Sequence, residues 1–159
     1  MANKILVAVF SARGVTKAVG EEIARIAGAD FCEIVPRERY TSGDLNWMNK
    51  RSRSSMEMND RSARPAIATK VENMAQYDAV FVGFPVWWYR EPSIIDTFME
   101  AYDFAGKKVI PFCTSGGSVI GDSAKNLQEL AAGAKVVEGK RLTAMTSEKE
   151  LKEWAEQVL

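Results

Sequence analysis

Six consecutive apolar residues, Ile5 to Phe10, run straight into a polar Ser11, and this feature constrains the chain more than any other. A run this short, with no polar alternation, is the pattern of a strand buried on both faces within a parallel sheet. Behind it, Val15, Val19, Ile23 and Ile26 recur at spacings of four, four and three, which predicts an amphipathic helix ending near Gly28. A parallel strand needs such a crossover before its neighbour can pair. The same alternation continues. Strands are predicted at Phe31–Val35, Ala79–Phe84, Val109–Cys113 and, briefly, Lys135–Val137. Helical spacings join Ile67, Val71 and Met74, then Ile94, Phe98 and Tyr102, then Leu127 and Leu130, and finally Leu151, Trp154 and Val158. Ser147 and Glu150 form a capping box at the start of the last helix. Five strands alternating with five helices predict a doubly wound parallel α/β sheet with right-handed crossovers.

With 159 residues, one domain spanning the whole chain is expected, large enough for a core without metal or disulfide staples. Lys plus Arg and Asp plus Glu both total 21, so no net field draws in nucleic acid or an anionic membrane. The N-terminal apolar stretch is too short to span a bilayer and carries no cleavage pattern, so a cytoplasmic protein is expected. There is no histidine, which excludes every mechanism that needs imidazole as acid, base or ligand. Cys32 and Cys113 form no Cys-x-x-Cys pair and read as buried small hydrophobes, not as a redox or zinc motif.

One segment breaks the rhythm. Pro36 to Arg64 is too long for an ordinary connection and carries Tyr40, Trp47, Met48, Met56 and Met58 among seven Lys/Arg and four Asp/Glu. Insertions of this length are either lids over a site or solvated excursions.

In an open parallel sheet the strand C-termini share one edge, where ligands favour the point at which strand order reverses. Three loops of unusual composition leave that edge. The first, Ser11 to Thr16, leads into a helix N-terminus, whose free N–H groups and dipole favour a phosphate. There Ser11 and Thr16 offer hydroxyls, Arg13 a charge, and Gly14 and Val15 backbone donors; simple capping of the helix is the competing reading. The second loop, Pro85, Val86, Trp87, Trp88, Tyr89 and Arg90, offers aromatic faces for a flat heteroaromatic ring, with packing beneath the next helix as the alternative. The third, Thr114, Ser115, Gly116, Gly117 and Ser118, supplies donors without bulk for the polar rim of such a ring. The stretch from Gly116 to Ser123 nearly matches a nucleoside-triphosphate loop, but Asp122 stands where a lysine is required. No Gly-x-Gly-x-x-Gly follows a strand, which disfavours a bound dinucleotide.

Phe10-Ser11-x-x-Gly14-x-Thr16, Gly83-Phe84-Pro85-Val86-Trp87-Trp88 and Pro111 to Ser118 together resemble the flavodoxin family, in particular bacterial members with an enlarged connection after the second strand. The resemblance covers nearly the whole chain. It implies strand order 2-1-3-4-5 and flavin mononucleotide (FMN) at the switch between the first and third strands, flavodoxin being itself the standing example of that placement. The family's phosphate loop usually reads Ser/Thr-x-Ser/Thr-Gly-Asn-Thr; here Arg13 replaces a hydroxyl and Val15 the asparagine. Electron-shuttling members are typically strongly acidic, whereas this chain is neutral.

The resemblance implies a flavin-dependent redox protein, either an electron carrier or a small NAD(P)H-dependent reductase, with no side chain nominated as catalytic acid or base. Its partners would be a redox protein or a small donor or acceptor such as a nicotinamide or quinone. The rival is an interaction domain that keeps the fold without redox activity.

Overall fold

The computed structural model describes residues 4–115 and 120–159. Its elements follow in the order β1 (Ile5–Val9), α1 (Val15–Ala27), β2 (Asp30–Glu33), α2 (Arg53–Met58), β3 (Ala79–Pro85), α3 (Ser93–Ala101) and β4 (Lys108–Thr114), then α4 (Ser123–Leu130), β5 (Lys135–Val136), β6 (Lys140–Leu142) and α5 (Glu148–Val158). All pairings in the sheet are parallel, in the order β2-β1-β3-β4-β5, with β6 also on β4. This is the doubly wound order expected from the sequence.

Strand alternation divides the interior into two layers. Leu6, Ala8, Phe10, Val80, Val82 and Phe84 face α3 and α4, where Ile94, Phe98 and Leu127 complete one cluster. Val7, Val9, Phe81, Ile110 and Phe112 face the other way, onto Val19 and Ile23 of α1 and Leu151 and Trp154 of α5. The apolar runs of β1 and β3 lack polar alternation because both of their faces are covered. The Ser147 hydroxyl accepts from the Glu150 N–H at 3.1 Å, the first of the two bonds expected of the capping box.

The sheet is tight at Gly83, whose register partner is Phe112. A Cβ added there would stand 2.2 Å from the Phe112 ring. Gly83→Ala is therefore expected to cost about 1–3 kcal/mol by overpacking, read as a lower urea midpoint with an unchanged slope. An unshifted midpoint would show that the Phe112 ring can move aside.

One expectation needs correction. The helix predicted over Ile67, Val71 and Met74 is absent: Ile67 bridges Pro36 in antiparallel fashion, and only Met74–Gln76 makes a single 3₁₀ turn. The Arg37 N–H donates to Ala66 O, the Ala68 N–H to Val35 O, and the Thr69 hydroxyl accepts from the Val35 N–H while donating to Glu33 O. Residues 66–69 thus satisfy the backbone of the outermost edge, a stronger demand than helix propensity. Val71 and Met74 are still buried, which explains why their spacing looked helical.

The fifth strand position begins where expected, at Lys135. It is shared by β5 and β6, because β4 pairs Val109 with Val136 but Phe112 with Lys140. One extra residue lies between those pairs, a β-bulge that re-aims the strand before it reaches the sheet edge.

Candidate functional site

A cavity of about 710 Å³ opens at the C-terminal edge of the sheet. The loop after β1 contributes Ser11, Ala12, Arg13, Val15 and Thr16; the loop after β3 contributes Pro85, Trp87 and Trp88; Thr114 and Ser115 close the end of β4. Gly116, Gly117 and Ser118, expected beside them, lie outside the described residues. The volume falls within the range of small-molecule sites.

At one end stands the N-terminus of α1. Gly14 is its N-cap, in the left-handed region at φ 94°, and no side chain caps the helix. The Gly14 N–H donates to the Ser11 hydroxyl at 3.0 Å. The N–H groups of Val15, Thr16 and Lys17 have no acceptor inside the helix and form the positive end of its dipole. Thr16 is turned inward, its hydroxyl 2.7 Å from that of Thr114 in a buried pair. One hydroxyl donates to the other, leaving a single O–H for a ligand. The simple-capping alternative for Ser11 and Thr16 does not describe this loop.

A second side of the cavity is aromatic. Trp87 and Arg90 exchange backbone hydrogen bonds, at 3.0 and 3.2 Å, around a two-residue turn in which Trp88 and Tyr89 both have positive φ, 48° and 64°. Such turns ordinarily use Gly or Asn. Two aromatic residues in this region carry about 1–3 kcal/mol of strain each, and strain of this kind clusters at functional sites. Trp87 sits in the wall, its ring packed edge-on against Phe10 and Tyr40 at 5.6 and 5.4 Å between centroids. Trp88 is 39% exposed at the cavity mouth. Tyr89, expected beside the ring, is 72% exposed and forms no part of the wall; a two-residue turn cannot aim successive side chains at one pocket. Val86 likewise packs onto the core beneath the site.

The insertion forms the third side. Leu45, Trp47 and Ser54 line the cavity, so the segment is more than a solvated excursion. Its brace is Tyr40, whose hydroxyl donates to Glu57 while the Arg53 guanidinium lies 3.9 Å over its ring. Arg53 also donates to Glu57 at 3.0 Å and to Glu38 O at 2.6 Å. Burial and the Glu57 carboxylate push the Tyr40 phenol well above its usual range, so it acts as a donor and not as an ionising group.

The wall contains groups the sequence reading did not single out: Arg141 on β6, and Thr143, Ala144 and Met145 after it. The bulge that brings them there left no apolar pattern to find. Burial disfavours the thiolate form of both cysteines. Cys113 is buried, with its thiol pushed up to about 11, and Cys32, expected to be buried, is only partly so, with burial again raising its pKa. Among the described residues, no helix is long and apolar enough to cross a membrane.

Comparison with known proteins agrees with this architecture. A family model described as Flavodoxin matches residues 4–158. A crystal structure of a candidate flavoprotein from Bacteroides eggerthii is 48% identical, with TM-score 0.93, covering 99% of this chain and 98% of that one. A counterpart from Bacteroides uniformis is 44% identical, with TM-score 0.91, over 98% and 99% of the two chains. A flavoprotein from Lactobacillus acidophilus in complex with FMN shares the fold at 22% identity, with TM-score 0.72, over 97% of this chain and 99% of that one. No curated protein matches the sequence. A family match over nearly the whole chain, on a sheet of order 2-1-3-4-5, establishes that the chain belongs to the flavodoxin family.

Proposed function

We propose that the chain binds FMN in the cavity at the sheet edge and works in the cytoplasm as a small reductase, passing electrons from a nicotinamide donor to a small acceptor such as a quinone. The observation that carries this reading is the polarity of the cavity. The one cavity is lined both by the free N–H groups of α1 with Arg13 and by the aromatic side chains Trp47, Trp87 and Trp88. A phosphate joined to a planar ring system has this division of character. The Lactobacillus acidophilus flavoprotein, which holds FMN on the same fold, supports the choice of cofactor.

FMN would supply the redox chemistry, as an acceptor and donor of hydride or of single electrons. The protein's own residues position and tune. The N–H groups of Val15, Thr16 and Lys17 hold the phosphate, Trp87 and Trp88 bound the ring, and Leu45 and Trp47 exclude water from its flank. Reduction of small molecules is favoured over shuttling between proteins because the chain has no net charge to steer it to a basic partner. The turn beside the ring also holds two aromatic residues in place of glycine.

The visible spectrum of the freshly purified protein tests the reading first, with bound oxidised flavin expected. Anaerobic photoreduction should then bleach the flavin in one step, and a nicotinamide with a quinone acceptor should turn over. Accumulation of a stable one-electron species without turnover would make the protein a carrier instead. A colourless protein that leaves FMN fluorescence unquenched would sink the flavin assignment and favour the interaction domain.

A further inference from the structure

Arg141, on β6, borders the cavity. Its Nε donates to the Ser115 hydroxyl at 3.1 Å and its guanidinium to Ser115 O at 3.0 Å. These bonds fix the side chain at the cavity wall while using two of its five N–H donors. No carboxylate among the described residues pairs with it. Arg13 and Arg141 give the cavity two cations, and its described wall contains no Asp or Glu, in a chain whose charges otherwise balance.

The two cations reach the cavity from different elements, Arg13 from the loop after β1 and Arg141 from β6. Thr114 and its register partner Leu142 lie on the side of the sheet that carries α1, as the contact between Thr16 and Thr114 and the packing of Leu142 show. Alternation turns Arg141, the partner of Cys113, to the opposite side. Cys113 belongs to the layer against which Trp87 packs. Arg141 therefore approaches the cavity from the face of the sheet on which Trp87 packs.

We infer that Arg141 is the positive charge beside the flavin ring, stabilising the negative charge that the ring acquires on full reduction near neutral pH. This rests on the FMN reading above. A fixed cation near the pyrimidine end of a flavin is one of the means by which a protein raises its reduction potential. A cation on the phosphate would instead hold oxidised and reduced cofactor equally well.

The test uses full-length protein with FMN and riboflavin titrated in both redox states, comparing wild type with Arg141→Gln and Arg141→Lys. Arg141→Gln should leave the ratio of FMN to riboflavin affinity unchanged for the oxidised forms. It should weaken binding of reduced relative to oxidised FMN about tenfold, which lowers the two-electron midpoint potential by about 30 mV. Arg141→Lys should recover most of the potential. As an internal reference, Arg13→Gln should lower FMN affinity towards that of riboflavin without moving the potential. An unchanged potential in Arg141→Gln overturns the inference, as does selective loss of FMN over riboflavin, which would put Arg141 on the phosphate. Wild-type protein that binds neither ligand would overturn the FMN reading itself, a distinct outcome.

Discussion

Gly14→Val is expected to weaken FMN binding at least a hundredfold, about 2.7 kcal/mol, while leaving riboflavin binding nearly unchanged. The reason is conformational. A Cβ at this position would meet nothing within 4 Å, so no clash forbids a side chain. The backbone, however, sits at φ 94°, where a β-branched residue is a genuine outlier. The loop would relax by rotating the peptide at the helix entrance, losing the Gly14 to Ser11 bond and re-aiming the N–H groups of Val15 and Thr16. Phosphate binding depends on those donors and ring binding does not, hence the contrast between the ligands. Gly14→Asn, which tolerates left-handed backbone, should keep most of the affinity. Fluorescence-quenching titrations with both flavins measure the effect, and normal FMN affinity in the valine variant would remove this loop from the phosphate site.

The fold and the site were legible in the sequence to different depths. Double burial writes itself as an uninterrupted apolar run, so β1, β3 and β4 stood out, and with them the edge on which their loops converge. Ser11, Arg13, Thr16, Trp87 and Thr114 could be placed at a common rim because strand topology alone brings strand ends together. Two things could not be read. Residues 66–69 answer to the unpaired edge of the strand beside them, a tertiary demand that leaves no local signature and can resemble helical spacing. Arg141 reaches the cavity only because one extra residue is accommodated between β5 and β6. A bulge is a matter of pairing register, and register belongs to two strands at once. The insertion was recognised as irregular, but its function as a wall depends on Tyr40 reaching Trp87, a contact between segments far apart in the chain.

Loss of the Arg90 guanidinium is expected to destabilise the protein by about 3–5 kcal/mol, because it leaves the buried Glu91 carboxylate without its cation. Arg90 is 6% exposed and stands 3.7 Å from the Glu91 carboxylate and 3.5 Å from that of Asp96, while also donating to Met58 O at 3.2 Å. Glu91 is fully buried and accepts from Asn126 at 3.1 Å; Arg64 stands 3.9 Å from Asp96. Two oxygens, Glu91 Oε2 and Asp96 Oδ1, have no hydrogen-bond partner as ionised acceptors. Burial, and then the hydrogen bond and charge of Glu91, push Asp96 up to about 8. Since its folded pKa lies above the unfolded value of about 3.9, the stabilisation is complete below that value. It is lost as pH rises, and stability levels off above about 8. Urea unfolding at pH 5, 6.5 and 8 should show wild-type stability declining across the series. Asp96→Asn, neutral throughout, should flatten the decline, and Arg90→Met should lower the midpoint at every pH. Arg90 joins the turn beside Trp88 to the end of α2, so Arg90→Met should also loosen the insertion and increase proteolytic cutting within residues 36–64. Wild-type stability that does not change between pH 5 and 8 would show that Asp96 is ionised in the fold, and an unaltered midpoint in Arg90→Met would show that Glu91 does not depend on it.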